Sequence, residues 1–461
     1  MKALHDPDRL LADGLAAIRA QFSVPAGFPP PVLAAADQAA RRVPSEHADR
    51  TALPFVTLDP ASSTDLDQAF TIETAGADLL LHYAIADVAW FVDDGSVLDT
   101  EAWSRGETIY LPDGKAGLYP PVLAEGAASL LPDGPRPAVI FTVRVAPDGA
   151  VRLDGAERAV IRSRAKLAYE TARGDHLPPA FPELAARIAA AEDARGASRV
   201  DPPEQEVAPG DDGRLALRFR PPLASETMNA ALSLATNMAV ADALYAAGTG
   251  LFRVMAAPDD FAVRRLRQTA RALGVAWPDD QTLAALEKTL RGATPGEAAF
   301  MLAIRRAGQG ASYQPYQAGQ KPWHAAMAAT YAHATAPLRR LADRYVVTAA
   351  LAVANGRPVP AATQDAFARL PAVMNTSGAR AAQVERAVVD LAETALLSGR
   401  EGEYFAAQVT DVGDSGARIQ LCELPVVARV AAHDAPPGTA LKVRLDQVDP
   451  ARRTLAFTRV G

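Results

Sequence analysis

The spacing of apolar residues predicts that the first fifty residues are helical. Apolar side chains recur at helical intervals from Leu10 to Phe22, and the stretch PAGFPPP ends the pattern. A second amphipathic stretch follows at residues 32–43. Two such helices can form a helix-turn-helix-like unit, but they more often simply pack on a neighbour. We therefore assign residues 1–50 to a small helical module.

The pattern changes to strands and then back to helices over the long middle part of the chain. Apolar runs and alternating stretches of strand length, separated by turn residues such as APDG, extend from residue 53 to about 162. Amphipathic helical patterns then dominate as far as Gly399. We expect one domain over residues 51–400, a mixed β-sheet surrounded by helices.

The final stretch, residues 401–461, alternates again between apolar and polar positions. Its short strands are separated by Gly, Asp and Pro turns. Strands of this length and number suit a small closed barrel of the OB type, which often binds single-stranded nucleic acid. The predicted fold class is therefore α+β, with a helical module, a mixed-sheet domain and a C-terminal barrel.

Composition and charge narrow the class of protein. The chain has 461 residues, of which 49% are hydrophobic and 22% charged, and a formal net charge of -7. This charge argues against a basic surface throughout, although a local basic channel can still bind nucleic acid. The single cysteine, Cys422, excludes an internal disulfide, and the N-terminus lacks the apolar core of a signal peptide. We expect a cytoplasmic protein with no membrane span; no protein partner can be read from the sequence.

One acidic stretch between two predicted strands is the strongest candidate for chemistry. It reads TLDPASSTDLDQAF and places Asp59, Asp65 and Asp67 within nine residues. Strand-to-turn patterning should bring the three carboxylates together at one rim. Carboxylates that close repel one another unless a cation joins them, and their oxygens suit Mg²⁺ or Mn²⁺. On spacing alone, a solvated acidic loop is the alternative.

A second candidate, TAPLRR, lies far along the chain. Pro337 is typical of the first helical position, which would make Ala336 the N-cap of a helix. The N–H groups at such a helix start can bind a phosphate. Arg339 can donate paired hydrogen bonds to phosphate oxygens. In isolation, an ordinary i,i+4 surface pair between Arg339 and Asp343 is the alternative.

Taken together, these stretches resemble a known family. Three of them, in this order, are similar to motifs of the ribonuclease II (RNB-domain) exoribonucleases: LPFVTLDPASSTDLDQAF, HYAIADVAWFVDDGSVLDTEAWSRGETIYLP and YAHATAPLRRLAD. The resemblance runs from about residue 51 to residue 400, and the predicted barrel resembles the S1 domain that closes this family's chains. It implies 3′-to-5′ hydrolysis of single-stranded RNA to nucleoside 5′-monophosphates, with Mg²⁺ or Mn²⁺ as cofactor.

The resemblance also implies a catalytic set. Asp59, Asp65 and Asp67 would hold the metal at the scissile phosphate, and Asp67 would be the most critical of the three. Arg339 would brace the same phosphate as charge develops on its oxygens. Such an arrangement suits hydrolysis of a phosphodiester, which needs an activated water and relief of negative charge.

Four further residues match positions that hold RNA in the family. Tyr110 would orient the 3′-terminal nucleotide, Tyr169 would stack on or bracket the last bases, and Arg340 would contact the backbone. Glu385 matches a glutamate near the end of the RNA path. Aromatic faces hold any base, which suits a sequence-tolerant enzyme, although either tyrosine alone would more often be a core residue. The expected partner is single-stranded RNA, with or without structured regions.

The chain also departs from the family pattern. Gln68 stands where the acidic motif usually has a second adjacent aspartate, and Asn229 and Ala230 stand where the family has paired glutamates. Glu226, about one turn earlier, is a candidate substitute. The helical module at residues 1–50 leaves no room for two N-terminal cold-shock barrels. We therefore expect a chain without them, whose more open RNA entrance is partly covered by the module.

These departures keep two other functions open. Glutamine offers no charge, so Gln68 should weaken the hold on a second metal ion. One alternative is a catalytically weakened RNA-binding or regulatory protein with the RNB fold. The other is a metal-dependent phosphodiesterase that acts on short oligonucleotides or DNA.

Overall fold

The structure is a computed structural model and describes residues 2–3, 10–197, 204–209, 215–220, 223–292, 294–308, 310–413 and 416–460. Its helices are α1 (Leu10–Gln21), α2 (Pro30–Ala39), α3 (Val88–Phe91), α4 (Val97–Arg105), α5 (Phe181–Ala194), α6 (Ala224–Ala246), α7 (Asp260–Ala272), α8 (Leu283–Glu287), α9 (Pro295–Ala307), α10 (Leu341–Ala354) and α11 (Ala361–Leu397). Its strands are β1 (Lys2–Ala3), β2 (Ala48–Asp49), β3 (Thr57–Asp59), β4 (Gln68–Ala75), β5 (Asp78–Ala86), β6 (Ile109–Leu111), β7 (Gly114–Ala116), β8 (Arg136–Val145), β9 (Val151–Ile161), β10 (Lys166–Ala168), β11 (Glu204–Pro209), β12 (Leu215–Arg220), β13 (Leu251–Met255), β14 (Ala311–Pro315), β15 (Tyr404–Gly413), β16 (Gly416–Leu421), β17 (Val427–Val430), β18 (Ala440–Asp449) and β19 (Thr454–Arg459).

A mixed five-stranded sheet forms the centre of the large domain, which confirms the predicted fold class. Its strand order is β2-β9-β8-β5-β4, with β2 parallel to β9 and the other neighbours antiparallel. Helices α6 and α10 pack on the sheet. Phe70 of β4 stacks on Phe181 of α5, with ring centroids 5.3 Å apart. Most residues of β5 and β8, in the middle of the sheet, are buried, and the others are partly buried.

A short strand pair beside this sheet positions the acidic stretch. Strand β3 runs parallel to β10, and Asp59 pairs in register with Ala168. Just before β3, Val56 forms a bridge with Phe70 of β4. The chain therefore leaves β3 at the sheet edge, crosses a loop, and re-enters the sheet at Gln68, the first residue of β4.

The stretch TAPLRR (residues 335–340), called the arginine stretch below, is not the helix start that the sequence predicted. Helix α10 begins only at Leu341. The backbone before it is fastened to the segment that precedes β6: Leu341 N–H donates to the Gly106 carbonyl at 2.9 Å, and Thr108 N–H donates to the Arg339 carbonyl at 3.0 Å. Residues 337–339 form a single turn, in which Arg340 N–H donates to the Ala336 carbonyl at 2.9 Å, but the turn does not continue into α10. The prediction that Ala336 is the N-cap of this helix is therefore wrong.

The two N-terminal helices pack at different places on the large domain. Leu15 and Ile18 of α1 share an apolar cluster with Val384 and Leu391 of α11. The approach is close, because a Cβ at Gly14 would lie 2.5 Å from a methyl carbon of Leu391. Helix α2 instead contributes to the main core and contacts α4.

Helix α1 also supports the hairpin formed by β6 and β7. Ile109 and Leu111 of that hairpin lie in the apolar cluster of α1. Both guanidinium NH groups of Arg19 donate to the Asp113 carboxylate in the hairpin turn, each at 2.9 Å. The helical module thereby contacts the hairpin that carries Tyr110.

The C-terminal strands close into the predicted OB-type barrel, in the order β15-β16-β17-β19-β18. A buried carboxyl joins this barrel to α11. Glu393 Oε1 accepts hydrogen bonds from Val427 N–H at 2.8 Å and from Gln205 Nε2 at 2.5 Å, and Gln205 Nε2 also donates to the Pro425 carbonyl at 2.9 Å. Burial raises the pKa of Glu393 to about 8, so the group is largely protonated at neutral pH.

None of the helices in the described ranges combines the length and the apolar surface that a bilayer crossing requires. The longest, α11, has 37 residues and carries charged side chains along its length. The next longest, α6, has 23 residues and packs against the central sheet.

Candidate active site

The structure brings the three predicted aspartates into one electrostatic neighbourhood. Leu66 is buried between Asp65 and Asp67, and its N–H donates to Ser129 Oγ at 2.9 Å, which fixes this part of the loop. Asp59 lies at the end of β3. The charge of Asp65 acts to raise the pKa of both Asp59 and Asp67. The acidic stretch is therefore a convergent cluster rather than a solvated loop.

Asp67 joins the acidic stretch to the arginine stretch. Its side chain is only 6% exposed. Oδ1 accepts a hydrogen bond from Leu338 N–H at 2.7 Å, across 271 positions of sequence, and Oδ2 lies 3.4 Å from Arg339 Nε. Burial raises the pKa of Asp67 to about 8, although Arg339 and the Leu338 amide both lower it. The site thus pairs a buried carboxyl with a guanidinium that is 44% exposed.

Asp59 is the second carboxyl whose pKa is raised. Burial raises it to about 7, and Asp65 adds to the effect, while Arg339 and Lys166 oppose it. Tyr169 lies close by, since its N–H donates to the Asp59 carbonyl at 3.2 Å. Burial, with a contribution from Asp59, raises the pKa of Tyr169 to about 12, so its phenol stays protonated.

Asp65 is already paired with a cation that the sequence reasoning missed. Lys115 Nζ lies 2.8 Å from Asp65 Oδ1 and 3.2 Å from Glu125 Oε1. Tyr110, which is 52% exposed, donates its hydroxyl to Asp65 Oδ2 at 3.2 Å. Lys115 faces Tyr110 across the β6–β7 hairpin. The turn sequence LPDG could have revealed the hairpin, and so Lys115 opposite Tyr110, but not the contact of Lys115 with Asp65.

Residues 334–340, which we call the arginine loop, are held by buried side chains. Asp343 Oδ2 accepts the N–H groups of Thr335 and Ala336 at 3.0 and 2.7 Å. Arg340 pairs with the same carboxylate, with Nε 3.0 Å from Oδ1. The alternative of a surface pair between Arg339 and Asp343 is therefore wrong: Asp343 is fully buried and pairs with Arg340, while Arg339 approaches the acidic stretch.

The other residues expected to bind RNA have different surroundings. Tyr169 accepts a hydrogen bond at its hydroxyl from Asn229 Nδ2 at 2.9 Å. Arg340 is held by the carboxylate of Asp343. Glu385 lies on an exposed face of α11, and none of the hydrogen bonds or ion pairs found in the described ranges joins it to the aspartate cluster. The structure thus gathers the tyrosines and Arg339 near the aspartates but not Glu385.

The departures from the family pattern have definite structural roles. Asn229 donates both to the Leu58 carbonyl at 3.1 Å and to Tyr169. Glu226 accepts the Leu223 N–H at 2.7 Å and so caps α6. Gln68 donates from Nε2 to the Thr335 carbonyl at 2.7 Å. If Glu226 took over the role of the missing glutamates, it would have to give up this capping bond to Leu223.

Carboxylate oxygens are the ligands that a divalent cation such as Mg²⁺ prefers, but the described residues do not form a complete metal site. Within the described parts of the chain, no three His, Cys, Asp or Glu side chains form a group that could hold a metal ion. The raised pKa values of Asp59 and Asp67 come mainly from burial, which disfavours their charged forms. A bound cation would favour the ionised forms and so lower both pKa values. Asp65 is paired with Lys115, and Asp67 with Leu338 N–H and Arg339, so a cation at either carboxyl would share it with these partners.

Comparison with known families identifies the class of protein. The RNB domain model matches residues 48–353, and the model of the RNase II-type exonuclease C-terminal S1 domain matches residues 403–460. The chain therefore belongs to the RNB-domain family and carries an RNase II-type S1 domain, which confirms the resemblance drawn from the motifs.

Individual relatives agree with this assignment. Ribonuclease R of Aquifex aeolicus is 28% identical over 442 residues, which cover 87% of this chain and 61% of the relative. Exoribonuclease 2 of Cronobacter sakazakii is 28% identical over 408 residues, covering 83% of this chain and 62% of the relative. The chain thus spans about three fifths of the length of these relatives, and 53% of Ribonuclease R 1 of Lactococcus lactis.

Solved structures confirm the fold. Mycoplasma genitalium RNase R in complex with ribose-methylated single-stranded RNA superposes with a TM-score of 0.86 at 20% identity, covering 99% of this chain and 79% of that chain. Yeast Ssd1, described as a pseudonuclease, superposes with a TM-score of 0.70 at 17% identity, covering 98% of this chain and 58% of that chain. The same fold therefore occurs in proteins described as a nuclease and as a pseudonuclease.

Proposed function

We propose that this chain is a 3′-to-5′ exoribonuclease that hydrolyses single-stranded RNA to nucleoside 5′-monophosphates with the help of Mg²⁺ or Mn²⁺. The observation that carries the proposal is the contact of Asp67 with Leu338 N–H and Arg339. It joins the two motifs that the family resemblance assigns to catalysis. The S1 domain and the relatives named ribonuclease R and exoribonuclease 2 support RNA as the substrate.

The residues divide the work in a chemically sensible way. Arg339 is exposed enough to donate to the phosphoryl oxygens as they gain charge, and Asp67 holds its guanidinium in place. Asp59 and Asp67 would hold the divalent ion, with Asp65 in support. When bound, such an ion supplies an activated water and stabilises charge on the phosphate.

The tyrosines would set the position of the RNA end. Tyr110 has an exposed ring and a hydroxyl fixed on Asp65, so it can carry the terminal nucleotide beside the aspartates. Tyr169 offers a second ring near Asp59. Stacking of this kind is indifferent to sequence, which suits an enzyme that consumes a whole strand. Arg340 and Glu385 are proposed to contact the RNA farther from the cleaved bond.

A single digestion experiment tests activity and polarity together. Pure protein is incubated with one RNA labelled at either the 5′ or the 3′ end, with Mg²⁺, with Mn²⁺, or with a chelator. The expected result is immediate release of labelled mononucleotide from the 3′-labelled RNA and gradual shortening of the 5′-labelled RNA, both abolished by the chelator. Release of the 5′ label first, or activity that persists in the chelator, would contradict the proposal.

A catalytically weakened RNA-binding protein is the second candidate. Gln68 in place of a carboxylate and the pairing of Asp65 with Lys115 favour it. Filter binding under the conditions of the digestion separates the two functions, since tight RNA binding without release of mononucleotides would favour the second. A phosphodiesterase of DNA or short oligonucleotides is tested by comparing RNA and DNA of one sequence, because the 2′-OH distinguishes them.

Duplex regions are the remaining question about the substrate. Solved structures of Mycoplasma genitalium RNase R include complexes with single-stranded and with double-stranded RNA. For this chain we propose single strands as the substrate and a cytoplasmic site of action. We also propose an entrance that the N-terminal helical module partly covers. This entrance is expected to be more open than that of ribonuclease II. If digestion of a 3′-tailed hairpin stopped at the same distance from the stem as it does with ribonuclease II, the open entrance would be contradicted.

A further inference from the structure

Gln68 is bonded on both sides of its amide. Its Nε2 donates to the Thr335 carbonyl of the arginine loop at 2.7 Å, and its Oε1 accepts a hydrogen bond from the Tyr83 hydroxyl. The orientation of the amide follows from chemistry, because a backbone carbonyl can only accept. Burial raises the pKa of Tyr83 well above its usual value, so its hydroxyl remains a donor. The Gln68 amide therefore bridges the Tyr83 hydroxyl, which donates to it, and the Thr335 carbonyl, which accepts from it.

Thr335, the partner of Gln68, lies near the start of the arginine loop, where several bonds hold the chain. Thr335 Oγ1 lies 2.9 Å from Ser233 Oγ, and its N–H donates to Asp343. The preceding residue, Ala334, donates its N–H to Asn237 Oδ1 at 2.9 Å. Helices α6 and α10 therefore hold the loop through Asn237 and Asp343. Gln68 adds a bond from the acidic stretch itself.

Gln68 directly follows Asp67, so the two motifs meet twice within two residues. Asp67 accepts Leu338 N–H, and Gln68 donates to the Thr335 carbonyl three positions earlier. The bonds run in opposite directions, one from the loop to the strand and one from the strand to the loop. Together they restrain both the distance and the rotation between the acidic stretch and the arginine loop.

We propose that Gln68 is a positioning residue that fixes the arginine loop against the acidic stretch through the Thr335 carbonyl. In this arrangement it sets the placement of Arg339 and does not hold a metal ion. The expected effect of Gln68 on catalysis rests on the proposed function. Its effect on the position of the loop does not. Leucine at this position has no donor and leaves the Thr335 carbonyl without this bond, and an ionised carboxylate there would repel the same carbonyl.

The structural consequence is measured without any nuclease assay. Q68E keeps the shape of the side chain and removes the donor, and Q68L removes donor and charge together. Amide hydrogen exchange, followed by mass spectrometry, reports on residues 334–338 in each variant. Both changes should speed exchange there by about tenfold, since a buried carbonyl loses its partner. Q364E is the matched control, because Gln364 Nε2 donates to the Val359 carbonyl at the start of α11.

Metal binding and kinetics separate positioning from ligation. Titration with Mn²⁺ alone should give nearly the same affinity for the parent protein and Q68L. In the nuclease assay, Q68E and Q68L should lower kcat by about tenfold with little change in KM, because Arg339 acts mainly on the developing charge. Q364E should behave as the parent protein in each measurement.

The outcomes distinguish the proposal from its alternatives. Unchanged exchange at residues 334–338 in both Q68E and Q68L overturns the positioning role. Loss of Mn²⁺ affinity in Q68L without faster exchange overturns it as well and makes Gln68 a metal ligand. Faster exchange in a protein that digests no RNA leaves the positioning role standing and removes only the proposed function.

Discussion

Asp67 and Glu393 are two buried carboxyl groups with similar electrostatics and different surroundings. Burial raises the pKa of each to about 8, and each accepts a hydrogen bond from a backbone N–H, at 2.7 and 2.8 Å. Asp67 has a partly exposed guanidinium beside it and two further aspartates nearby. Glu393 is 4% exposed and bonded to Gln205 and the barrel backbone.

The difference shows what a raised pKa can and cannot identify. In both places it reports burial of a carboxyl, which is the largest cause of the shift. Only at Asp67 do several groups that can act on a phosphate converge on a surface that a substrate can reach. We therefore interpret Asp67 as part of an active site and Glu393 as a joint between α11 and the barrel.

The sharpest way to break this comparison is to replace each carboxyl in turn by the matching amide. Asp67→Asn should lower the rate of mononucleotide release on the order of 10³-fold, because the proposed site loses a carboxyl that contacts Arg339 and that would be ionised beside a bound cation. The fold should survive, since asparagine can still accept the Leu338 N–H. Single-turnover digestion of a labelled RNA measures the rate.

Glu393→Gln is the matched control for that experiment. The amide has the shape of the protonated carboxyl that Glu393 is expected to be at neutral pH, so activity should remain at the parent level. Equal losses of activity in Asp67→Asn and Glu393→Gln, with both proteins folded by circular dichroism, would remove the distinction between site and joint.

Arg339→Lys tests the guanidinium that distinguishes the Asp67 site. Lysine keeps the positive charge and loses the paired hydrogen bonds, so kcat should fall by about 10²-fold with KM for RNA changed far less. Steady-state kinetics on a homopolymer gives both parameters. A loss confined to KM would mean that Arg339 binds RNA without acting on the reacting phosphate.

Much of this site was predictable from sequence, and the misses share one cause. Spacing and motif order brought out Asp67 and Arg339, because local patterns and family resemblance carry that information. Lys115 was missed because its pairing with Asp65 depends on how a hairpin folds over the acidic stretch. The helix predicted at Ala336 failed for the same kind of reason, since backbone bonds to residues 106–108 override the local proline signal.

The fold was more accessible than these contacts. Apolar periodicity was sufficient to predict the central sheet, the long helices and the closed barrel. The joint at Glu393 was not, because a glutamate in an amphipathic helix reads as a surface residue. Its burial arises only when β11 and the barrel close over α11. Sequence patterns therefore gave the elements, while the contacts between distant elements required the structure.

The pH dependence of stability sharpens the contrast at Glu393. Its pKa is about 8 in the folded protein and near its usual value of about 4.5 when unfolded. The folded state therefore binds more protons between these values, and the stabilisation present at low pH is lost as pH rises through this window. Relative to Glu393→Gln, the parent protein should lose at most about 1.4 kcal/mol per pH unit.

Urea unfolding of the two proteins between pH 5 and pH 9 measures this difference. Glu393→Gln removes one titrating group and leaves Asp390, which raises the pKa of Glu393, and Arg418, which lowers it, in place. The comparison therefore isolates the contribution of Glu393. Parallel curves for the two proteins across the whole range would mean that Glu393 is not held protonated in the fold.

The smallest expected effect comes from two amides that play the same structural part in the two regions. Asn229 bridges the Leu58 carbonyl and the Tyr169 hydroxyl, and Gln205 bridges the Pro425 carbonyl and Glu393. Replacing either amide by leucine should lower the free energy of unfolding by about 1–2 kcal/mol, because a backbone carbonyl loses its donor.

Only the replacement in the large domain should alter the proposed nuclease activity. Asn229→Leu frees the Tyr169 ring that is proposed to hold the RNA end, so KM should rise by about two- to fivefold with kcat nearly constant. Gln205→Leu should leave both parameters unchanged, although it loosens the barrel joint. If Gln205→Leu raised KM as much as Asn229→Leu, the joint between α11 and the barrel would contribute to RNA binding. The contrast between a functional site at Asp67 and a purely structural joint at Glu393 would then fail.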